Sequence, residues 1–240
     1  MGKFTFVKGN HFYNPENVTT PLEEGFIEGD GRLDAQVSAE HIRTVMENYL
    51  ALNQKADIFF FMEVPLNLDQ EKVEKEPEGN NPGILKSQHR MVYYLDGIDS
   101  EEGMEILDTF GEVLINDGLS AFGFGTKDSE IGKYQYNEML VHVYEDMDPW
   151  KKVFLLADVP ERKDLTFADD VFSWKNPGVA ERYEDEQGRS VYDVVDVLKN
   201  AGLYEAEVRE ENPDDGDSSP EDDPPDKEQM EAIIKKLMDK

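Results

Sequence analysis

Dense apolar runs at 58–62, 91–95 and 153–156 interrupt an otherwise polar chain of 240 residues, and they decide what it can fold into. With 38% hydrophobic and 32% charged residues, scattered apolar side chains would leave the chain near the disordered regime. Gathered into runs, they predict a buried core. Residues 56–64, a strongly apolar run closed by Pro65, read as a buried strand. Residues 90–96 read as a second strand.

Helices are marked around these runs. Ser38 is placed to cap a helix reaching Asn53, with Ile42, Val45, Met46, Tyr49 and Leu50 on one face. Asp99 and Glu102 form a capping-box pair, and Ile106, Leu107, Phe110, Val113 and Leu114 follow at helical spacing. Asn116-Asp117-Gly118 is expected to end that helix with glycine in the left-handed conformation. A strand over 119–125, a turn over 126–132 and a strand over 134–145 come next. Asp148-Pro149 then opens a helix whose core face carries Val153, Phe154 and Ala157.

From residue 39 the predicted order is α-β-β-α-β-β-α. The fold class is α+β, an antiparallel sheet with helices packed on one face. Its inner part resembles a split βαβ or ferredoxin-like arrangement. Such architectures host many activities and imply none. Residues 1–37 are expected to form a strand at 3–7 followed by loops over 10–31, and residues 38–160 the α+β core. Residues 161–211 read as a helix and strand extension of the same domain. There, Thr166 and Asp169 cap a short helix with Val171, Phe172 and Trp174. Ser190 and Asp193 cap another with Val191, Val194, Val195 and Leu198, which ends at Gly202 before a strand over 203–208.

The stretch 210–226 has no apolar residue except proline and is expected to be disordered. Residues 212–240 thus divide into an acidic linker and a short amphipathic helix, with Met230, Ile233, Ile234, Leu237 and Met238 as its apolar stripe and Lys235, Lys236 and Lys240 late in the segment. A helix this short is marginal alone in water, so the stripe needs a surface, either on this chain or on another.

The formal net charge is −30, of which residues 212–240 contribute −6; the remainder is acidic in its own right at −24. Such a surface repels nucleic acid and anionic membrane and suits a basic protein partner. Without cysteine, the chain has no disulfide, thiolate or iron–sulfur chemistry. The N-terminus lacks the apolar core of a signal peptide and no run approaches membrane-spanning length, so a cytoplasmic protein is expected.

Gly123-Phe124-Gly125-Thr126 fits no phosphate-loop spacing and reads as part of a hairpin. Glu28, Asp30 and Asp34 lie near glycines but lack the alternation and closing glutamate of a calcium loop. His11, His41, His89 and His142 show no metal-ligand spacing, and no serine sits in a nucleophile elbow. No cofactor or metal is expected. The reading that follows is a non-catalytic, acidic, protein-binding module of the partner-inhibiting kind. It would act through its acidic surface and the 230–238 helix. A carboxylate- or metal-dependent enzyme and a self-associating structural protein stay open as alternatives, as does the oligomeric state.

Overall fold

The computed structural model describes residues 4–13, 15–29, 32–66, 88–126, 133–135, 140–143, 147–171 and 177–211. It is an α+β protein. Its strands are β1 (Asn10–Phe12), β2 (Gly25–Gly29), β3 (Arg32–Gln36), β4 (Ile58–Pro65), β5 (Gln88–Ile98), β6 (Ala121–Thr126), β7 (Lys133–Gln135), β8 (Leu140–Val143), β9 (Gly178–Ala180) and β10 (Tyr204–Glu211). The helices are α1 (Ala39–Leu52), α2 (Ser100–Asn116), α3 (Met147–Leu156) and α4 (Val191–Lys199). Eight strands form one sheet in the order β10-β5-β4-β6-β7-β8-β3-β2, and every neighbouring pair is antiparallel. Strands β1 and β9 form a separate antiparallel pair.

The centre of the sheet is a split βαβ. Strands β5 and β6 each pair antiparallel with β4, so they run parallel to one another, and α2 connects them across β4. Register explains the continuous apolar run of β4. Phe60 and Met62 stand opposite Leu95 and Tyr93 on β5 and opposite Phe124 and Phe122 on β6, and all six join the core. The alternate residue Phe61 points the other way and is also buried, with its ring 6.4 Å from that of Tyr94. Glu63, on the Phe61 side, is the polar exception: it is buried and paired with Arg209 of β10 at 2.8 Å.

All four helices of the described residues feed the same core: Ile42, Val45 and Leu50 from α1, Leu107, Phe110 and Val113 from α2, Trp150 and Phe154 from α3, and Val191, Val194 and Leu198 from α4. Tyr49 stacks on Trp150 at 4.7 Å, and Phe154 on Phe26 of β2 at 5.4 Å, so an aromatic chain fastens α3 to both α1 and the sheet. The Asp99–Glu102 capping box is formed in full.

Several expectations are corrected. Residues 4–7 are not a strand; Phe4 and Val7 instead bury their side chains while Thr5 accepts from the backbone N–H of Ala39. The expected loop over 10–31 contains β1 and β2, and β2 pairs with β3. The expected strand over 134–145 is two strands, β7 and β8, paired antiparallel with Gln135 opposite Leu140. The helix expected after Thr166 is a 3-10 turn at Asp169–Val171; Phe172 and Trp174 lie outside the described residues. Ser38 precedes α1 but its hydroxyl accepts from the N–H of Thr5 rather than capping the helix.

Gly118 does not take a left-handed conformation. It is glycine because backbones meet there: a Cβ on Gly118 would fall on the carbonyl oxygen of Gly9. The N–H of Gly9 donates to the carbonyl of Asn116 at 2.9 Å, so the N-terminal segment is laced across the end of α2. Strand β10 extends to Glu211, so Glu210 and Glu211, the first residues of the stretch expected to be disordered, pair with His89 and Gln88. The remainder of that linker and the predicted terminal helix lie outside the described residues.

Candidate functional site

The exposed side of α2 is almost wholly acidic. Its exposed positions are Glu101, Glu102, Glu105, Asp108, Thr109 and Glu112. At about 100° per residue, Glu101, Glu105, Asp108 and Glu112 fall within about 60° of one another, a straight ridge roughly 16 Å long. The opposite side of the helix supplies Ile106, Leu107, Phe110, Val113 and Leu114 to the core, so the ridge stands on a rigid base.

Among the described residues, cations reach only the C-terminal half of the ridge. Arg43 of α1 binds Asp108 through one nitrogen, Glu47 through Nε at 2.7 Å and the carbonyl of Leu107 at 3.3 Å. Glu112 accepts from the Tyr183 hydroxyl at 2.6 Å and from Lys8 Nζ at 3.1 Å. The Tyr183 bond, then the Lys8 ammonium, hold the Glu112 carboxyl below its ordinary range. Among the described residues, no ion pair engages Glu101 or Glu105. The loop beside Glu112 adds exposed Glu184 and Glu186. Asp185, between them, is turned inward. Burial pushes its carboxyl up, but the N–H of Arg189, the Arg189 guanidinium and the N–H of Gln187 outweigh this and hold it below its ordinary range.

Asp117, just past α2, fastens this region. Its carboxylate accepts from the Ser120 hydroxyl, from the N–H of Tyr183 at 3.0 Å and from Arg182 at 3.2 Å. Nothing in the sequence singled out this residue as more than a helix stop.

The histidines do not converge. His41 Nδ1 lies 2.8 Å from Glu24, whose other oxygen accepts from the N–H of Ser38. His11 is on β1, His89 on β5 and His142 on β8. Register separates the proposed loop carboxylates: Glu28 stands opposite Leu33, so Asp34, the next residue along β3, points to the other face. Asp30 lies outside the described residues. Among the described residues, no three histidines or carboxylates are grouped to hold a metal. Gly125 serves packing, since a Cβ there would lie within 2.9 Å of three atoms of the Phe59 ring, which covers it. Met230, Ile233, Ile234, Leu237 and Met238 lie outside the described residues.

No family model, curated protein or solved structure matches the chain. What fold and surface define is a class: an acidic α+β protein on a split βαβ core. No helix among the described residues is long and apolar enough to cross a membrane.

Proposed function

We propose that this protein is a non-catalytic module that binds a basic protein partner through the carboxylate ridge of α2, with the 230–238 segment as a second contact. The ridge carries the reading. Carboxylates three and four residues apart repel along a helix, each pair costing a few tenths of a kcal/mol. Glu101 sits in the first turn, where the helix dipole favours a carboxylate, but Glu105, Asp108 and Glu112 lie beyond it, and a helix serving only to cover the sheet would be more stable with lysine or arginine interspersed there. Glu101 and Glu105 stand exposed, ready for an incoming cation. The same charge repels polyphosphates, so nucleic acid is the wrong partner, and the cysteine-free composition suits a reducing cytoplasm.

Capture at low salt tests the reading. The native chain should retain a basic protein that the Glu101→Gln/Glu105→Gln variant loses. Equal retention by both would refute the role of the ridge.

A further inference from the structure

The sheet face opposite the core carries a carboxylate set among aromatic rings. Asp96 of β5 stands opposite Phe59 of β4, follows Tyr94 by two residues on the same face, and accepts from the Tyr204 hydroxyl of β10 at 2.7 Å. The Tyr94 ring lies 5.8 Å from that of Phe59 and 6.3 Å from that of Tyr204. A bulge shapes this corner. Gly97, at φ 73°, is the extra residue between Asp96 and Ile98, so Leu95 and Ile98 both reach the core while Asp96 stays outside. Asp96 is exposed, Tyr204 is 47% exposed, and Phe59 and Tyr94 are half-buried.

We propose that this corner seats the guanidinium of an arginine side chain presented by another protein. Charge carries the argument. Elsewhere the chain lays its own cations over rings: Arg182 on Tyr192 at 4.6 Å, Lys8 on Tyr183 at 4.8 Å and Lys199 on Tyr93 at 5.4 Å. Among the described residues, no cation lies over Phe59, Tyr94 or Tyr204, and none pairs with Asp96. Arg209, on the same face of β10, is held by Glu63 at 2.8 Å and by Glu207 at 2.6 Å. Ring faces and a carboxylate both attract a cation. An apolar segment laid here would bury Asp96 with no counter-charge, and a second copy of this chain, itself at −30, would be repelled. Arginine suits the corner better than lysine, because its planar, weakly hydrated guanidinium can stack on a ring while it donates to a carboxylate. The Tyr204 bond takes Oδ2 of Asp96 and leaves Oδ1 to accept. The corner faces away from the core on which α2 packs, so the inference does not rest on the α2 ridge and either can fail alone.

The probe is Nα-acetylarginine amide, titrated into the full chain at about 100 mM salt to screen the general acidic surface, and followed by NMR. It should shift the ring resonances of Phe59, Tyr94 and Tyr204 along one saturating curve. Asp96→Asn and Tyr204→Leu should each weaken binding at least about threefold. The Glu101→Gln/Glu105→Gln variant should bind the probe as the native chain does, and Nα-acetyllysine amide should bind more weakly than the arginine probe. Amide spectra away from β5 and β10 should stay unchanged in every variant. Ring resonances that do not move in the native chain would overturn the proposal, whatever the variants do. So would shifts spread over the acidic surface and indifferent to Asp96→Asn. Tighter binding of tetramethylammonium or of a neutral methyl glycoside would overturn it too, by giving the corner to a different ligand.

Discussion

Arg182 places a guanidinium nitrogen 3.2 Å from the carboxylate of Asp117, whose side chain has no solvent-exposed surface at all. The same carboxylate accepts from the backbone N–H groups of Leu119 and Tyr183 and from the Ser120 hydroxyl. One buried charge therefore joins the end of α2, the start of β6 and the loop leading to α4. Asp117→Ala leaves these donors without an acceptor and should lower stability by about 2–4 kcal/mol. Ser120→Ala removes one donor only and should lower it by about 1 kcal/mol. Urea denaturation checks both, with the midpoint moving and the slope unchanged.

The Gly9–Gly118 contact yields a steric prediction. Either glycine replaced by alanine puts a methyl group against backbone that has nowhere to go, since a Cβ on Gly9 would also lie 2.6 Å from the carbonyl oxygens of Asn116 and Glu181. Gly118→Ala should lower the thermal midpoint by many degrees, through a loss of about 2 kcal/mol or more. Gly29→Ala meets nothing within 4 Å and should leave it nearly unchanged.

Much of this fold was legible because several signals agreed. Apolar spacing, a capping box and a following turn all pointed to α2, and the structure fills each of those positions. The same holds for α4, with Ser190 and Asp193 bonded as a capping box. Strands β2 and β3 were illegible for a physical reason. Gly25–Gly29 has two glycines and a glutamate in five residues, and it is held by pairing with β3 and by a parallel bridge from Phe26 to Glu161. Local propensity carries none of that. Strands β7 and β8 look like one strand in sequence because both have strand composition, and only their antiparallel pairing separates them.

The acidic surface was legible as a total charge but not as a ridge. Placing Glu101, Glu105, Asp108 and Glu112 in line required knowing which side of α2 packs inward. The hydrophobic positions imply that side once the helix is assigned. The Asp117 junction was not legible, because two of its partners, Arg182 and Tyr183, lie 65 and 66 positions away.

Acid should destabilise this protein, with a stated sign. Tyr183 and Lys8 hold Glu112 below its ordinary range, and the N–H and hydroxyl of Ser190 do the same for Asp193. Asp185 is held low by Arg189 and Gln187 against its own burial. A carboxyl whose folded pKa is depressed binds fewer protons folded than unfolded. Its contribution is therefore complete above the unfolded pKa, near 4, and is lost as pH falls through the folded value. Urea midpoints should be flat above about pH 6 and drop below about pH 4; Tyr183→Phe should weaken that drop.

Repulsion among the ridge carboxylates predicts a gain. Glu105→Gln removes repulsion with Glu101, Glu102 and Asp108, three and four residues away, and should raise stability by a few tenths of a kcal/mol. Added salt should likewise raise the native chain's thermal midpoint by screening a net charge of −30. A midpoint that falls with added sodium chloride would mean that attractive pairs outweigh repulsion.

The central claim is that the α2 ridge steers a cationic protein into contact. The association rate of the captured basic partner, followed by stopped flow across a salt series, tests it most directly. The rate should fall by at least about tenfold between 50 mM and 500 mM salt, and Glu101→Gln/Glu105→Gln should flatten that dependence while leaving the fold intact. A rate indifferent to ionic strength, or a salt dependence unchanged by the two substitutions, would contradict the account.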